Sequence, residues 1–203
     1  MHWVNEKNGE NMETKNIMIV GVGGQGTLLA SKLLGRLLLG KGFDVKVSEV
    51  HGMSQRGGSV VTYVRWGDRV YSPIIDKGQA DCILSFELLE AARYTEYLKQ
   101  GGRIIVNSQQ INPMPVIAGA ATYPEKLEEK LEALGIKVDA IDALTLAEKA
   151  GSSKAVNLVL MGKLANHFDF TPEEWMDAIE HSVPPKFLEL NKKAFELGRS
   201  SLR

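Results

Sequence analysis

Cysteine occurs once, at Cys82, in a chain of 203 residues. One thiol builds neither an internal disulfide nor an iron-sulfur or cysteine-rich zinc site, so the expected home is a reducing cytoplasm and no metal centre is expected in this chain. Net charge is nearly absent as well, at -1, which removes any overall attraction to nucleic acid or to an anionic membrane. No apolar run approaches the roughly 20 residues of a membrane helix. The opening segment lacks the apolar centre of a signal peptide. Residues 1–14 read as a flexible polar tail, with Met12 a second candidate start. At 44% hydrophobic and 24% charged, residues 15–203 have enough apolar material for one globular domain, and no linker or repeat divides them.

What the chain does have is glycine, concentrated at one place. The apolar run 17–20 breaks into Gly21-Val22-Gly23-Gly24-Gln25-Gly26, followed by leucines and alanines at helical spacing over 27–41. Strand, glycine turn and helix thus follow without a gap, and the helix N-terminus sits on the glycine loop. Free amides and the positive dipole end there suit an anion, and glycine permits close backbone approach. Gly21, Gly23 and Gly26 match G-x-G-x-x-G. That pattern serves a dinucleotide site or only a tight turn with close helix packing, and both readings stay open at this point.

The next strand, 43–50, ends near Glu49, at the distance where a dinucleotide domain places its ribose-binding acid. Against that, only the eight residues His51-Gly52-Met53-Ser54-Gln55-Arg56-Gly57-Gly58 separate it from a Val- and Thr-rich strand over 59–66, too few for a helical parallel crossover. An antiparallel hairpin therefore replaces the second crossover, and residues 66–69 read as a further two-residue turn into Val70 and Tyr71. Further expectations are a buried strand at 80–86 with Cys82 as core, a helix over 87–99 closed by Gly101-Gly102, and a strand at 103–106. A mostly loop segment follows at 107–124, with a short strand near Val116. An acidic helix then presents Leu127, Leu131 and Leu134 on one face, and a last strand spans 136–141. Asp142 is a candidate N-cap, Thr171-Pro172-Glu173-Glu174 a capping box, and Phe187, Leu190, Ala194 and Leu197 a closing apolar stripe. The predicted fold class is α/β: a Rossmann-like three-layer sandwich with a mostly parallel sheet, an inserted antiparallel hairpin and a helical C-terminal segment.

Taken together, Gly21-Val22-Gly23-Gly24-Gln25-Gly26 and Ser54-Gln55-Arg56-Gly57-Gly58 make the chain resemble the gamma subunit or domain of 2-oxoacid:ferredoxin oxidoreductases. The stretch 49–60 is most similar to the indolepyruvate-acting small (beta) subunits of that family, and 191–198 is similar to the family's ending. The resemblance covers 15 to about 198. It implies an oxidative decarboxylation of an aryl pyruvate to an aryl-acetyl-CoA with reduction of ferredoxin. It also implies a large (alpha) partner subunit bearing thiamine diphosphate, magnesium and iron-sulfur clusters, this chain being inactive alone. Enzymes for pyruvate, 2-oxoglutarate or branched-chain 2-oxo acids are the alternatives within the family; a free-standing nucleotide-binding protein or a scaffold subunit are the alternatives outside it. Gly21, Gly23, Gly24, Gln25, Gly26, Gln55, Arg56 and Gly57 are the candidate residues for coenzyme A phosphates or for the subunit interface. His51 is more simply a structural loop histidine than a general base.

Overall fold

The computed structural model describes residues 12–51 and 58–201. Alternation in β1 (Lys15–Val22) sets the layers: Ile17 and Ile19 point into one core, Met18 and Val20 into the other, all fully buried. Burying each such side chain on both faces of a strand contributes about 2 kcal/mol, which fixes β1 at the centre of the sheet. The order is β2-β3-β1-β4-β5-β6, with β2 (Asp44–His51), β3 (Ser59–Gly67), β4 (Ala80–Ser85), β5 (Leu98–Asn107) and β6 (Lys137–Ile141). β3 runs antiparallel to both β1 and β2, while β1, β4, β5 and β6 are mutually parallel. This is the predicted sandwich with its inserted antiparallel hairpin.

One face is covered by α1 (Thr27–Gly40), α5 (Ala143–Ala150), α6 (Val156–Ala165), α7 (Pro172–Glu180) and α8 (Leu188–Ser200); α2 (Leu88–Arg93) and α4 (Leu127–Ala133) cover the other. Every residue of α6 is buried, so it is the central post of the larger layer. The caps follow the sequence: the Asp142 carboxylate accepts from Thr145 N at 3.0 Å, and Thr171 and Glu174 form the reciprocal capping box.

Several local expectations fail for identifiable reasons. Val70 and Tyr71 form no strand, because Asp44 takes Val70 N (2.8 Å) and the Arg65 guanidinium takes the carbonyls of Ser72 and Ile74 (2.9 and 2.7 Å), folding the chain over the sheet. The helix predicted over 87–99 stops at Arg93, and Leu98 already pairs with Ala80, so Gly101-Gly102 lies inside β5. Near Val116 there is a short helix, α3 (Met114–Ile117), started by Pro113 and Pro115. Leu134 of the predicted apolar face is exposed, while Leu127 and Leu131 are buried. Of the stripe predicted on α8 only Ala194 is buried, with Asn191, Phe195 and Gly198 completing the face, while Phe187 is exposed and Leu190 and Leu197 pack only at the margin. The predicted tail lies outside the described residues as far as residue 11; at Met12 the backbone amide donates to Asp68 Oδ2 (2.8 Å).

Behind α6, Asp139 of β6 accepts from Arg103 Nη1 of β5 at 3.0 Å and lies 3.5 Å from His167 Nε2. The His167 hydrogen bond, with the Arg103 charge, holds the Asp139 carboxyl at about 2, below its ordinary 3.8. A carboxyl depressed by folding stabilises above its unfolded value and loses that stabilisation as pH falls through the folded one. Stability is therefore expected to drop by on the order of 2 kcal/mol between pH 4 and 2 in the wild type. In Asp139→Asn that segment of the pH profile, read by urea melts, is expected to flatten.

Candidate functional site

The glycine loop lies at the carboxyl edge of the sheet, between β1 and β4, where helices leave to opposite faces and an open α/β sheet makes its ligand crevice. Gly21 has no room for a side chain: a Cβ would lie 2.9 Å from both Gln25 Oε1 and Phe86 Cβ. Gly24 and Gly26 take φ of +100° and +88°, the left-handed region that glycine enters at low cost. Gly26 is the N-cap of α1 and presses on Asn157 of α6, whose Nδ2 would be 2.8 Å from an added Cβ. The loop is held from two sides. Gly23 N donates to Gly58 O at 2.8 Å, and the Gln25 side chain accepts from Val22 N (2.7 Å) while donating to Phe86 O (3.1 Å).

The dinucleotide reading loses its ribose-binding acid. The Gln25 amide bridges the ends of β1 and β4. Glu49 lies on β2, which β3 separates from β1, and it accepts from Thr62 Oγ1 at 3.1 Å. Cys82 is fully buried in β4, and burial pushes its thiol up, as a core residue requires. Gln55, Arg56 and Gly57 lie outside the described residues, as does the His51 side chain. Their neighbour Gly58 meets the glycine loop.

The structure also brings up residues that the sequence motifs did not mark. A cavity of about 480 Å³ opens beside the loop, lined by Gly24, Gln25 and Gly26 together with Gln109, Ser153 and Lys154. It joins the start of α1, whose first turn carries no acidic residue, to the segment leading into α6. Backbone amides left without intrahelical partners, a dipole end and one cation therefore border a single space. The sequence signal was the Gly151-Ser152-Ser153-Lys154 run ahead of a helix, a cationic counterpart of the glycine loop.

Across Ile111 lies a second cavity of about 360 Å³, bordered by Val22, Gly58 and Glu90. Burial raises the Glu90 carboxyl; Ser59 Oγ, donating at 2.5 Å, and Arg93 at 3.2 Å oppose that shift. Glu87 is buried beside it. Its Oε2 caps α2 by accepting from Glu90 N (2.9 Å), and its Oε1 accepts from Ile111 N (3.0 Å) and Tyr123 OH (2.5 Å).

Comparison with known proteins agrees with this fold. The family model described as pyruvate ferredoxin/flavodoxin oxidoreductase matches residues 16–201. The chain is 48% identical over 192 residues to the indolepyruvate oxidoreductase subunit IorB of Thermococcus kodakarensis, covering 92% of this chain and 95% of the relative. It is 28% identical over 194 residues to the 2-oxoglutarate synthase subunit KorC of Methanothermobacter thermautotrophicus, covering 91% and 93%. The 2-oxoglutarate:ferredoxin oxidoreductase of Magnetococcus marinus, solved with 2-oxoglutarate, coenzyme A and succinyl-CoA bound, has the same fold at a TM-score of 0.72 and 17% identity. That similarity spans 93% of this chain and 31% of the Magnetococcus one.

Proposed function

Since the chain belongs to the pyruvate ferredoxin/flavodoxin oxidoreductase family, we propose that it serves as the small subunit of a 2-oxoacid:ferredoxin oxidoreductase acting on indolepyruvate and related aryl pyruvates. One observation carries the substrate class: over nearly the whole chain, identity is 48% to an indolepyruvate oxidoreductase subunit and 28% to a 2-oxoglutarate synthase subunit. The reaction is a coenzyme A-dependent oxidative decarboxylation to an aryl-acetyl-CoA, with the electrons passed to ferredoxin. Thiamine diphosphate with magnesium supplies the carbanion sink in such chemistry, and iron-sulfur clusters the electron route.

The described residues of this chain do not fit those groups. Cys82 is sealed in the core, and among the described residues no three His, Cys, Asp or Glu side chains gather as a metal site. Both cofactors are assigned to the large partner subunit.

The small subunit's own part is to hold coenzyme A. Its phosphates carry several negative charges, and the loop Gly21, Gly23, Gly24, Gln25 and Gly26, the first amides of α1 and Lys154 suit them. Gln25 acts within the loop, keeping its amides aimed outward by its bonds to Val22 and Phe86. Gln55, Arg56 and Gly57 complete the site from the segment that ends at Gly58, with Arg56 the second cation. Calorimetry of coenzyme A binding to the assembled Arg56→Ala enzyme tests this: a loss of about 10-fold is expected for one charge-assisted contact, and unchanged affinity removes Arg56 from the site.

A further inference from the structure

The stretch 107–123 contains no Asp, Glu, Lys or Arg, in a chain that is 24% charged. It is not core. Met114 is 69% and Ile117 65% exposed, and Pro115 and residues 118–121 are exposed with them. A soluble protein seldom presents so long an uncharged apolar surface without a partner for it.

This surface is also held in shape. Glu87 pins its two ends, binding Ile111 N and Tyr123 OH with a single carboxylate oxygen. Gln109 O accepts from Leu88 N at 3.1 Å, and Pro115 O accepts from Ala120 N and Ala121 N at 2.8 and 3.1 Å. A buried carboxylate spent on fixing an exposed apolar loop is preorganisation for docking, because the ordering cost is met before the partner arrives.

We propose that residues 109–121 form a preformed docking knob for an uncharged, apolar surface of the cofactor-bearing subunit. The occupant follows from position, and this step rests on the function proposed above. The knob borders both cavities at the carboxyl edge, through Gln109 and Ile111 on one side and Ile111 to Ile117 on the other. Coenzyme A held at that edge must present its thiol to a reaction centre that this chain lacks. The subunit bearing that centre must therefore sit against the same edge. An interface core poor in charge matches a segment that has none, whereas a charged partner surface would be desolvated there without a counter-ion. The groove of about 1070 Å³ between α1 and α7 is different. It is rimmed by the Arg36–Asp177 and Lys41–Glu174 pairs and lies along α1, reaching Leu39 and Gly40 at its far end.

The test is a comparison of complexes co-expressed with the large subunit and analysed by sedimentation. The Met114→Asp/Ile117→Asp double variant is expected to weaken assembly about 100-fold, while its thermal melt as an isolated chain stays that of the wild type. Leu39→Asp/Val47→Asp, on the α1 groove, is expected to assemble normally. The proposal is overturned if the knob variant assembles like the wild type, or if only the groove variant dissociates. It is equally overturned if the isolated wild-type chain is a dimer that the knob substitutions split, since the occupant is then a second copy. A wild-type complex that forms through the knob yet does not oxidise indolepyruvate would refute the functional reading and leave the docking surface standing.

Discussion

Gly162→Ala is expected to be among the most destabilising single methyl additions to this chain, with Gly198→Ala its equal. Gly162 of α6 and Gly198 of α8 face each other where the two helices cross. A Cβ on Gly162 would run into the Phe195 carbonyl oxygen, and one on Gly198 into the Val159 carbonyl oxygen. Both obstacles are backbone, so no side chain can swing away. The helices must separate, opening the layer that holds Phe195, Leu158 and Met161, all fully buried. Overpacking of this kind costs about 3 kcal/mol, a large share of a total stability of roughly 5–15 kcal/mol. A fall in Tm of about 10 °C is expected by calorimetry. Gly40→Ala, with open space around its Cβ, is expected to melt at or slightly above the wild type. Equal melting of Gly162→Ala and wild type would show that the crossing is looser than described.

Lys154→Glu is expected to give the largest loss of coenzyme A affinity among surface changes. Lys154 is exposed on the turn before α6 and borders the cavity of the glycine loop. Reversing its charge turns attraction for a phosphate into repulsion while leaving the α1 dipole and the loop amides in place. The expected loss is about 10-fold or more at low ionic strength, shrinking as salt screens the pair. The melt of the variant should not change. Unaltered affinity at low salt would mean that the phosphates lie elsewhere than beside the loop.

Much of the fold was legible because it rests on short-range chemistry. The β1-loop-α1 unit follows from an apolar run, glycines and helical spacing. The absence of a second crossover follows from eight residues being too few to make one. Asp142 and the Thr171 capping box were legible because a cap is decided by the three or four residues around it. What was not legible depends on distant partners. The end of α2 is set by Leu98 pairing with Ala80, a tertiary contact that overrides helical periodicity. The loop at Val70 is set by Asp44 and Arg65 on other strands. The inner face of α8 is set by how closely α6 approaches, which keeps Ala194 of the predicted stripe but favours Phe195 and Gly198 over its leucines.

The site divides in the same way. The glycines of the loop were readable, and so was their suitability for an anion. That Gln25 bridges the ends of β1 and β4 was not, because its acceptor, Phe86 O, lies 61 residues away. Lys154 and Gln109 reach the loop only through the stacking of β5 and α6 behind it, so no local pattern could have joined them to it. Glu87 looked like an ordinary residue at a helix start. Its second task, pinning both ends of an uncharged segment, appears only when Ile111 and Tyr123 are seen on one oxygen.

This chain is proposed to be the coenzyme A-holding small subunit of an aryl-pyruvate oxidoreductase. The most direct measurement is anaerobic purification of the tagged chain from its native host, followed by identification of its partner, cofactor analysis, and a ferredoxin-reduction assay with indolepyruvate and coenzyme A. The expected result is one large, cysteine-rich, thiamine diphosphate-bearing partner, and ferredoxin reduction that requires both substrates and is faster with indolepyruvate than with pyruvate or 2-oxoglutarate. Recovery of the chain alone with a bound nucleotide, or of a complex indifferent to indolepyruvate, would contradict it.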